Sequence, residues 1–566
     1  MKKIEMLDQS LYPRSVVRLA QMLVMAIALF YLPQASAVQA CDTDIVKSPT
    51  GPICGFTHQL SDQSAEVFLG IPFGQDTGGP ARFNPPQAVA DWSKTFEATS
   101  FGDICPQPLP PGADAKVMSE NCLNLNVWRP KHAKPGSDLA VMVFIYGGAF
   151  LMGDNRYGLY DGAYLAAHQD VIVVNLNYRL GSFGFLVNGE VTGNMGISDQ
   201  QLALKWVARN IRAFGGAPDK VTLFGQSAGA MSVGLHTFVM PSSQSLFRAA
   251  IMESNVLGVP FKLPRQQAHV SDLLSVVLGC FDVVCLRDIP MEQILKAQTD
   301  IYASLKKIFG TLPYFVPFGP IVDGALIQDL PMNVVNNGRF KPVLLGSNRT
   351  DAKLFVGEAP LSNADLIIYS ANAFGSAFKS VIERYPPANS KANLATWTEI
   401  ETDYLLRCPA QLVAGSLDSP AYLYQFNHTP SFPVWGGKMC EQKGVVCHGA
   451  ELPFVFHTAA EIGGKFTEQE KQLSEQMMAY WTNFAKYLDP NGPREAGDKS
   501  ASDLLKWPAA NVGPTAQQLS LSTPTRVVEV QTNDRVCSFW ASVGYDLSDP
   551  WHDLLNTRSS HESLKR

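Results

Sequence analysis

The chain has 566 residues, of which 46% are hydrophobic and 17% are charged, and its formal net charge is −6 at pH 7. This length and apolar content suffice for a large buried core, and α/β enzymes of this size often form one domain. The acidic balance and the lack of a basic block disfavour nucleic acid and anionic membrane surfaces as partners.

The N-terminus has the organisation of a secretory signal peptide. Four basic residues precede the apolar run 19–32, and three small residues follow closely. A membrane anchor is the alternative, but the run is short for a span and Gln21 interrupts it. We therefore expect removal of residues 1–37, export to the periplasm or the extracellular space, and no transmembrane segment in the mature chain. Lipid attachment at Cys41 is a weaker alternative, because residues 38–41 only faintly resemble a lipoprotein box.

Apolar runs without polar alternation predict buried strands of a parallel sheet. They cover residues 140–146, 171–177, 221–224, 249–252, 343–346 and 421–426. Apolar side chains on one side of residues 200–214 predict an amphipathic helix between two of these strands. The alternation indicates an α/β fold with a mostly parallel central sheet flanked by helices. We expect one domain over residues 38–548, with a helical cap inserted at about 260–317 and a polar tail at 549–566.

A Gly-x-Ser-x-Gly motif links the predicted strand 221–224 to a predicted helix, and its central residue is Ser227. Glycines two residues before and after the serine permit a tight, strained turn that lifts the hydroxyl clear of the sheet. The following helix directs amide groups toward developing negative charge. Ser227 is therefore the predicted nucleophile, and Gln226 and Ser232 are expected to lie behind it and support the site.

A glycine pair, Gly147 and Gly148, follows the predicted strand 140–146. An α/β hydrolase places backbone donors for an oxyanion at this point, and glycine lets the backbone approach a substrate carbonyl closely. We assign Gly147, Gly148 and Ala228 as the predicted oxyanion hole. The alternative for the glycine pair is an ordinary turn.

The predicted base is His448, because it lies in a loop before a predicted helix and follows the serine in chain order. Its neighbour Cys447 can pair with Cys440, and such a link would hold the base in place. The competing histidines lie beside apolar runs or in the tail and are interpreted as structural or terminal: His428, His457, His552 and His561.

The predicted acid is Asp351, which follows the predicted strand 343–346 and lies between the serine and the histidine in the chain. Its role would be to hold the imidazole tautomer and to stabilise the imidazolium. Asp323 is the main alternative, although residues 321–324 are more typical of a turn aspartate.

Ten cysteines in an exported chain favour disulfides over metal ligands. No Cys-x-x-Cys or His-x-x-x-His spacing occurs, so we expect no metal, and no organic cofactor is implied. Spacing alone leaves other connectivities open. Proximity in the chain favours these pairs: Cys41 with Cys54, Cys105 with Cys122, Cys280 with Cys285, Cys440 with Cys447, and by remainder Cys408 with Cys537.

Together these motifs resemble the type B carboxylesterases, the family that includes mammalian carboxylesterases, cholinesterases and bile-salt lipases. The resemblance extends over nearly the whole mature chain through six further segments: 68–73, 82–86, 119–127, 177–181, 193–201 and 214–216. It implies the α/β hydrolase fold, with Asp351 in the acid position and His448 in the base position. The family pattern also resembles three of the proposed cysteine pairs, those of Cys105, Cys280 and Cys408.

Three features depart from the family pattern. Asp351 stands where glutamate is usual, and Gln226 replaces the usual glutamate before the nucleophile, which removes a negative charge beside the serine. The loop between Cys105 and Cys122 contains 16 residues and no aromatic side chain. Cholinesterases carry a cation-binding tryptophan in this loop, and fungal lipases of the family form a lid from it. A choline ester or an emulsified triglyceride is therefore disfavoured as substrate.

We accordingly expect a serine esterase that cleaves small-molecule esters with short to medium acyl chains or bulky alcohols. The Gly-Gly-Ala sequence at 147–149 resembles that of family members with roomy alcohol sites. Alternatives are a lipase-like enzyme, a carbamate or mycotoxin-ester hydrolase, and, from another class, a catalytically silent adhesion or binding module.

Residues 348–350 and 427–429 match the N-glycosylation pattern. The oligomeric state is not predicted.

Overall fold

The computed structural model describes residues 40–109, 114–259, 261–309, 316–335, 338–388, 392–435, 438–493, 504–511, 516–530 and 535–545. The predicted signal peptide 1–37 and the predicted tail 549–566 lie outside the described residues. No described helix has the length and apolar character needed to cross a membrane.

The apolar runs of the sequence form the centre of a large sheet, which has eleven strands within the described residues. In chain order they are β1 Phe56–Gln59, β2 Ser64–Pro72, β3 Asn124–Pro130, β4 Leu139–Ile145, β5 Val171–Leu176, β6 Gly216–Gln226, β7 Ala249–Glu253, β8 Val343–Asn348, β9 Ala421–Phe426, β10 Ala516–Leu521 and β11 Arg526–Val530. Their spatial order is β11-β10-β9-β8-β7-β6-β4-β5-β3-β2-β1. The prediction of an α/β fold is confirmed.

The sheet is parallel in its centre and antiparallel toward both edges. All pairings from β5 through β4, β6, β7, β8 and β9 to β10 are parallel. The pairings among β1, β2, β3 and β5 and the β10–β11 pairing are antiparallel. The six predicted strands correspond to β4–β9, and the five peripheral strands were not predicted. The apolar-run criterion misses peripheral strands because they are largely exposed, as in β11, or bury polar side chains, as in β3.

Helices flank this sheet, and several pack directly against its strands. They are α1 Ala163–Gln169, α2 Gly181–Phe185, α3 Met195–Asn210, α4 Ala228–Phe238, α5 Pro264–Leu278, α6 Val283–Asp288, α7 Met291–Phe309, α8 Pro331–Val334, α9 Lys353–Val356, α10 Asn363–Phe374, α11 Phe378–Arg384, α12 Asn393–Thr402, α13 Cys408–Ser416, α14 Leu452–Phe456, α15 Glu468–Tyr487 and α16 Arg535–Val543. The helix predicted at 200–214 is α3, which begins five residues earlier and continues as a 3-10 turn over Ile211–Phe214. The described residues of the segment expected to form a cap contain α5, α6 and α7.

Five disulfides link the described residues in the connectivity that chain proximity favoured. The pairs are Cys41–Cys54, Cys105–Cys122, Cys280–Cys285, Cys408–Cys537 and Cys440–Cys447. Four join residues close in sequence, whereas Cys408–Cys537 joins α13 to α16 across 129 positions. This last bond therefore constrains the unfolded chain far more than the others.

Several charged residues of the segments that resemble the esterase family have structural roles. Arg179 binds Asp199 in a buried ion pair of 2.8 Å, and Arg82 binds Glu120 at 2.5 Å. Arg82 also donates to three carbonyl groups at the end of α6. A buried charge requires such a partner, so Arg179 links its loop to α3 and Arg82 links its loop to the end of α6.

The carboxyl ends of the central strands bring distant parts of the chain together. Ser227 follows β6 directly, and Ser254 follows the neighbouring strand β7. The next strand, β8, ends three residues before Asp351. In parallel sheets this edge is where binding and catalytic groups converge.

Candidate active site

Ser227 occupies a strained turn between β6 and α4. Its φ angle is 59° and its ψ angle is −125°, a combination that residues other than glycine rarely adopt. The flanking glycines make the turn sterically feasible. A Cβ on Gly229 would lie 1.8 Å from the carbonyl oxygen of Ile145, and a Cβ on Gly225 would lie 2.7 Å from the same oxygen. The Ser227 amide donates to the Glu253 carbonyl at 3.0 Å, which ties the turn to β7.

The predicted oxyanion residues lie next to this turn. We call residues 147–153 the glycine loop. A Cβ on Gly147 would approach the Ser227 Cβ to 2.8 Å, so this loop contacts the serine directly. Gly148 has a φ of 112°, and a Cβ there would collide with the Met152 carbonyl at 2.0 Å. The amides of Gly147, Gly148 and Ala228 donate to no described residue. The first two amides belong to the loop that contacts Ser227 and the third follows Ser227 directly, so all three stay candidate oxyanion donors.

The buried side chain of Gln107 binds the glycine loop at Gly153. Gln107 accepts from the Gly153 amide at 2.9 Å and donates to the Gly153 carbonyl at 3.0 Å. It also donates to the carbonyl of Cys105, which belongs to a disulfide. These bonds connect the glycine loop to the loop that begins at Cys105.

His448 and Asp351 form a close buried pair. His448 Nδ1 lies 2.6 Å from Asp351 Oδ1, and the two side chains are 4% and 0% exposed. Asp351 Oδ2 accepts two more hydrogen bonds, from the Ser254 hydroxyl and from the Asn348 amide, each at 2.7 Å. Because a carboxylate faces Nδ1, this nitrogen carries the proton and Nε2 is the basic nitrogen. His448 Nε2 makes no hydrogen bond to a described residue.

The chain segments that carry Asp351, the candidate acid, and His448, the candidate base, are joined to each other. We call residues 348–351 the acid segment and residues 444–448 the base segment. Hydrogen bonds of 2.6–3.2 Å connect them: Arg349 to Gly444, Thr350 to Val446 in both directions, Asn348 to Cys447, and the His448 amide to the Asp351 carbonyl. The base segment is also closed by the Cys440–Cys447 disulfide. The acid–base distance therefore depends on backbone contacts as well as on the ion pair.

Two further carboxyl groups are buried near the acid. Burial raises the pKa of Glu253 to about 8, although Trp481 Nε1 donates to its Oε1 at 2.5 Å. Burial also raises the pKa of Glu451 well above its usual value, and the charges of Glu253 and Asp351 add to this effect. Asn348 Nδ2 donates to Glu451 and thereby links it to the acid segment. Both glutamates hold a proton at pH values at which exposed glutamates are ionised.

The alternative acid, Asp323, lies in a turn. Its Oδ1 accepts from the three consecutive amides of 325–327 at 2.9–3.0 Å, and its Oδ2 accepts from Asn194 at 2.8 Å. Oδ1 is thus bound by the local backbone, and Oδ2 is bound by the side chain of Asn194. It therefore fits the turn role that the sequence favoured.

The alternative histidines that the structure describes are bound to other partners. His428 Nε2 lies 3.0 Å from Glu470, and His457 Nδ1 lies 2.8 Å from Ser474. His457 also stacks on Tyr164, with ring centroids 3.9 Å apart. His552 and His561 lie outside the described residues.

Gln226 and Ser232, which were expected behind the serine, occupy buried positions there. Gln226 is 3% exposed, and its side-chain oxygen would lie 3.1 Å from a Cβ on Gly147. The Ser232 hydroxyl donates to the Ala228 carbonyl at 2.9 Å. Both residues contact the backbone around the serine turn.

Sequence reasoning missed several polar residues of this site, namely Ser254, Asn348, Glu253, Glu451 and Gln107. Ser254 lies two positions after a predicted strand, so its place at the sheet edge was a usable signal. Asn348 matches the N-glycosylation pattern, but it is fully buried and its Nδ2 donates to Cys447 and Glu451. Its burial excludes it as a glycan acceptor in the folded chain. Asn427 is half-buried, and its Nδ2 donates to Ser520 at 2.9 Å.

Comparison with known proteins places the chain in one family. The sequence pattern of the carboxylesterase family matches residues 42–540. An acetylcholinesterase from Bungarus fasciatus is 33% identical over 542 residues, which cover 88% of this chain and 85% of that protein. A protein named crystal protein from Dictyostelium discoideum is 35% identical over 503 residues, which cover 85% of this chain and 88% of that protein. The chain therefore belongs to the carboxylesterase family, and its mixed sheet with flanking helices is the α/β hydrolase fold of that family.

Proposed function

We propose that this chain hydrolyses carboxylic esters through an acyl-enzyme formed on Ser227. The observation that carries the proposal is the buried His448–Asp351 pair, 2.6 Å apart, at the sheet edge where the strained serine turn also lies. Family membership supports the hydrolysis of carboxylic esters in general. The strain and the convergence of donors are features that a merely structural serine does not require.

In the proposed cycle, His448 Nε2 takes the Ser227 hydroxyl proton while Oγ attacks the ester carbonyl carbon. The C–O bond to the alcohol breaks, and the alcohol leaves with the proton from Nε2. A water then gives its proton to Nε2 and its oxygen to the acyl carbon, and the acid is released as Ser227 regains its proton. Asp351 holds the imidazole and stabilises the imidazolium without taking the proton.

The amides of Gly147, Gly148 and Ala228 would bind the oxyanion that develops on the carbonyl oxygen. They are fixed in the backbone before substrate arrives, so no reorganisation is needed during the reaction. Removal of one such donor in a serine hydrolase lowers turnover by about 10²–10³-fold.

We propose neutral small-molecule esters with short to medium acyl chains or bulky alcohols as substrates. Gln226 places no negative charge beside the nucleophile, and the loop between Cys105 and Cys122 has no aromatic residue for a cation. The relative named acetylcholinesterase therefore does not suggest a choline ester for this chain.

The test is hydrolysis of p-nitrophenyl esters from C2 to C12 by the wild type, by Ser227→Ala and by Ser198→Ala. Ser198 is a half-buried serine of α3 whose hydroxyl donates to the Asn194 carbonyl, and it serves as the matched control. We expect turnover by the wild type and the control and loss of at least about 10³-fold in Ser227→Ala. Equal activity of Ser227→Ala and the wild type would overturn the proposal.

A catalytically silent binding module is the alternative from another class. The name of the Dictyostelium relative, crystal protein, states no activity, which keeps this alternative relevant. A fluorophosphonate probe distinguishes the two, because only an activated serine reacts with it. We expect labelling of Ser227 in the wild type and none in His448→Ala. An unlabelled wild type that also cleaves none of the esters would favour the silent module.

We also propose export after removal of residues 1–37. The five disulfides of the described residues are compatible with an oxidising compartment. Mass spectrometry of the mature N-terminus tests the proposal, and a chain that retains Met1 in its native host would contradict it.

A further inference from the structure

A chain of buried side-chain hydrogen bonds joins helices α3 and α4 behind the serine turn. At its near end, the Ser232 hydroxyl donates to the Ala228 carbonyl at 2.9 Å and accepts from Gln200 Nε2 at 3.0 Å. Gln200 Oε1 lies 3.2 Å from His236 Nε2. Ser232, Gln200 and His236 are each 0% exposed.

The chain continues from His236 to the 3-10 turn Pro241–Ser243 that follows α4. His236 Nδ1 lies 2.9 Å from the Ser243 hydroxyl oxygen, which accepts from Gln201 Nε2 at 3.1 Å. We call the connected side chains the buried relay: Gln201, Ser243, His236, Gln200 and Ser232.

One assignment of donors and acceptors satisfies every bond of the buried relay. Ser232 gives its proton to Ala228, so its oxygen accepts from the Gln200 amide group. The Gln200 oxygen then accepts from His236 Nε2–H, and the bare Nδ1 accepts from the Ser243 hydroxyl. Burial lowers the pKa of His236 to about 3, which agrees with a neutral ring in this tautomer. All bonds therefore run in one direction and end on Ala228.

We propose that the buried relay positions the first turn of α4 for the reaction, so that its members are positioning residues. The inference rests on the proposed function, because it concerns the oxyanion donor Ala228 and the nucleophile beside it. Holding the Ala228 carbonyl sets the direction of the peptide groups in the first helical turn. Catalytic donors must be held to within about 0.5 Å of their productive positions.

The α3 end of the buried relay lies next to a buried ion pair, that of Arg179 and Asp199. Gln200 and Gln201 follow Asp199, which accepts from the Arg179 backbone amide and side chain at 2.8–3.0 Å. This stretch of α3 belongs to a segment, 193–201, that resembles the esterase family but contains no predicted catalytic residue. The buried relay supplies a physical reason for polar residues at these fully buried positions, since each must have a partner.

Helix α4 contains a second bond of the same kind that serves as a control. The Thr237 hydroxyl donates to the Val233 carbonyl at 2.7 Å, four residues back, as Ser232 does to Ala228. Thr237 is 1% exposed and is not part of the buried relay. Removal of either hydroxyl thus deletes the same type of helix bond, but only Ser232 holds the turn at the nucleophile.

The experiment compares Ser232→Ala, Gln200→Met and Thr237→Val with the wild type. For each we would measure kcat and KM with one p-nitrophenyl ester, the dissociation constant of an alkyl boronic acid as a transition-state analogue, and the melting temperature. We expect kcat to fall about tenfold in Ser232→Ala and Gln200→Met with little change in KM, because only transition-state contacts are weakened. The boronic acid should lose affinity by a similar factor. Thr237→Val should melt at a lower temperature but keep the wild-type kcat.

Four outcomes would overturn the inference or separate it from the proposed function. Unchanged kcat and analogue affinity in Ser232→Ala, with only a lower melting temperature, would assign the buried relay a structural role. A loss in Ser232→Ala without one in Gln200→Met would restrict the effect to a single helix bond and overturn the relay. An inactive and unlabelled wild type would overturn the proposed function and this inference with it, whereas an active wild type with unaffected variants would overturn this inference alone.

Discussion

At the residue scale, the short side chain of Asp351 is held by its surroundings. It is 0% exposed and accepts hydrogen bonds from His448, Ser254 and the Asn348 amide, all within 2.7 Å. Each donor lies within hydrogen-bond distance of a carboxylate whose side chain is one methylene shorter than that of glutamate. The departure from the usual glutamate is thus matched by the packing around it.

We therefore predict that Asp351→Glu lowers kcat rather than restoring a more typical esterase. An extra methylene in a tightly packed site introduces strain of about 1–3 kcal/mol, which corresponds to roughly 5–150-fold in rate. The measurement is kcat with p-nitrophenyl butyrate. Asp351→Asn is the reference for complete loss of the acid, and we expect it to lower kcat about 10⁴-fold. Wild-type turnover by Asp351→Glu would show that the donors adapt to the longer acid.

Glu253 makes the stability of the chain depend on pH. Its pKa is raised from 4.5 to about 8 by burial, so the folded chain binds this proton more tightly than the unfolded chain does. The folded state consequently binds more protons than the unfolded state between these two values, and the free energy of unfolding falls as pH rises from 4.5 to about 8.

Glu253→Gln should remove this dependence while keeping an oxygen acceptor for Trp481. We expect the variant to gain stability relative to the wild type on going from pH 5 to pH 8.5, by on the order of 3–4 kcal/mol. Urea unfolding at the two pH values measures the difference. Glu475→Gln, at a half-exposed helix position, is the control and should leave the slope unchanged. Parallel pH profiles of Glu253→Gln and the wild type would contradict the prediction.

At the element scale, the acid segment 348–351 and the base segment 444–448 behave as one unit. The acid segment begins at the last residue of β8, and the base segment lies in the connection from the neighbouring parallel strand β9 to α14. Hydrogen bonds connect the two segments along their length. The Cys440–Cys447 disulfide closes the base segment immediately before His448. Residues 441–444 between the two cysteines are exposed, so the disulfide adds order where packing provides little.

We predict that Cys440→Ser/Cys447→Ser lowers kcat about tenfold while reducing stability only moderately. The bridged cysteines are seven positions apart, for which loop entropy gives about 2 kcal/mol, but the freed loop directly precedes the base. Cys41→Ser/Cys54→Ser is the matched control and should lower the melting temperature without changing kcat. Equal kcat values in the two double variants would exclude a special role for the Cys440 link.

At the scale of the whole molecule, the Cys408–Cys537 bond attaches the last described helix to the body. Helix α16 buries Trp540 completely, and its indole nitrogen donates to the Tyr385 hydroxyl at 2.9 Å. The ring also packs against Phe374 and Tyr404. A C-terminal element is thereby joined to helices α10–α13, which lie more than 100 residues earlier in the chain.

Loss of this bond should destabilise the chain more than loss of any short-range disulfide. For a separation of 129 residues, loop entropy gives about 5 kcal/mol, compared with about 2 kcal/mol for Cys440–Cys447. We expect Cys408→Ser/Cys537→Ser to show the larger fall in melting temperature and the smaller fall in kcat at 20 °C. Calorimetry and initial rates of both double variants measure the two rankings, and the reverse order in either would contradict the argument.

The sequence alone was sufficient for features that short stretches encode. The six central strands are continuous apolar runs because both of their faces are buried, and the glycines around Ser227 mark a turn that no larger residue fits. Neighbouring cysteines likewise predicted the disulfides that close short loops. These signals are local, since burial on both faces, backbone strain and loop closure each act within a few residues.

Only the tertiary structure revealed the residues that support the candidate site. Ser254 and Asp351 are 97 positions apart and Gln200 and Ser232 are 32 apart, yet each pair is hydrogen-bonded. The same holds for the antiparallel peripheral strands, whose polar residues resemble loop sequences until their partners are known. Such partnerships depend on which strands lie side by side. A buried serine, asparagine or glutamine therefore has a recognisable role only when the sheet has brought its partner within reach.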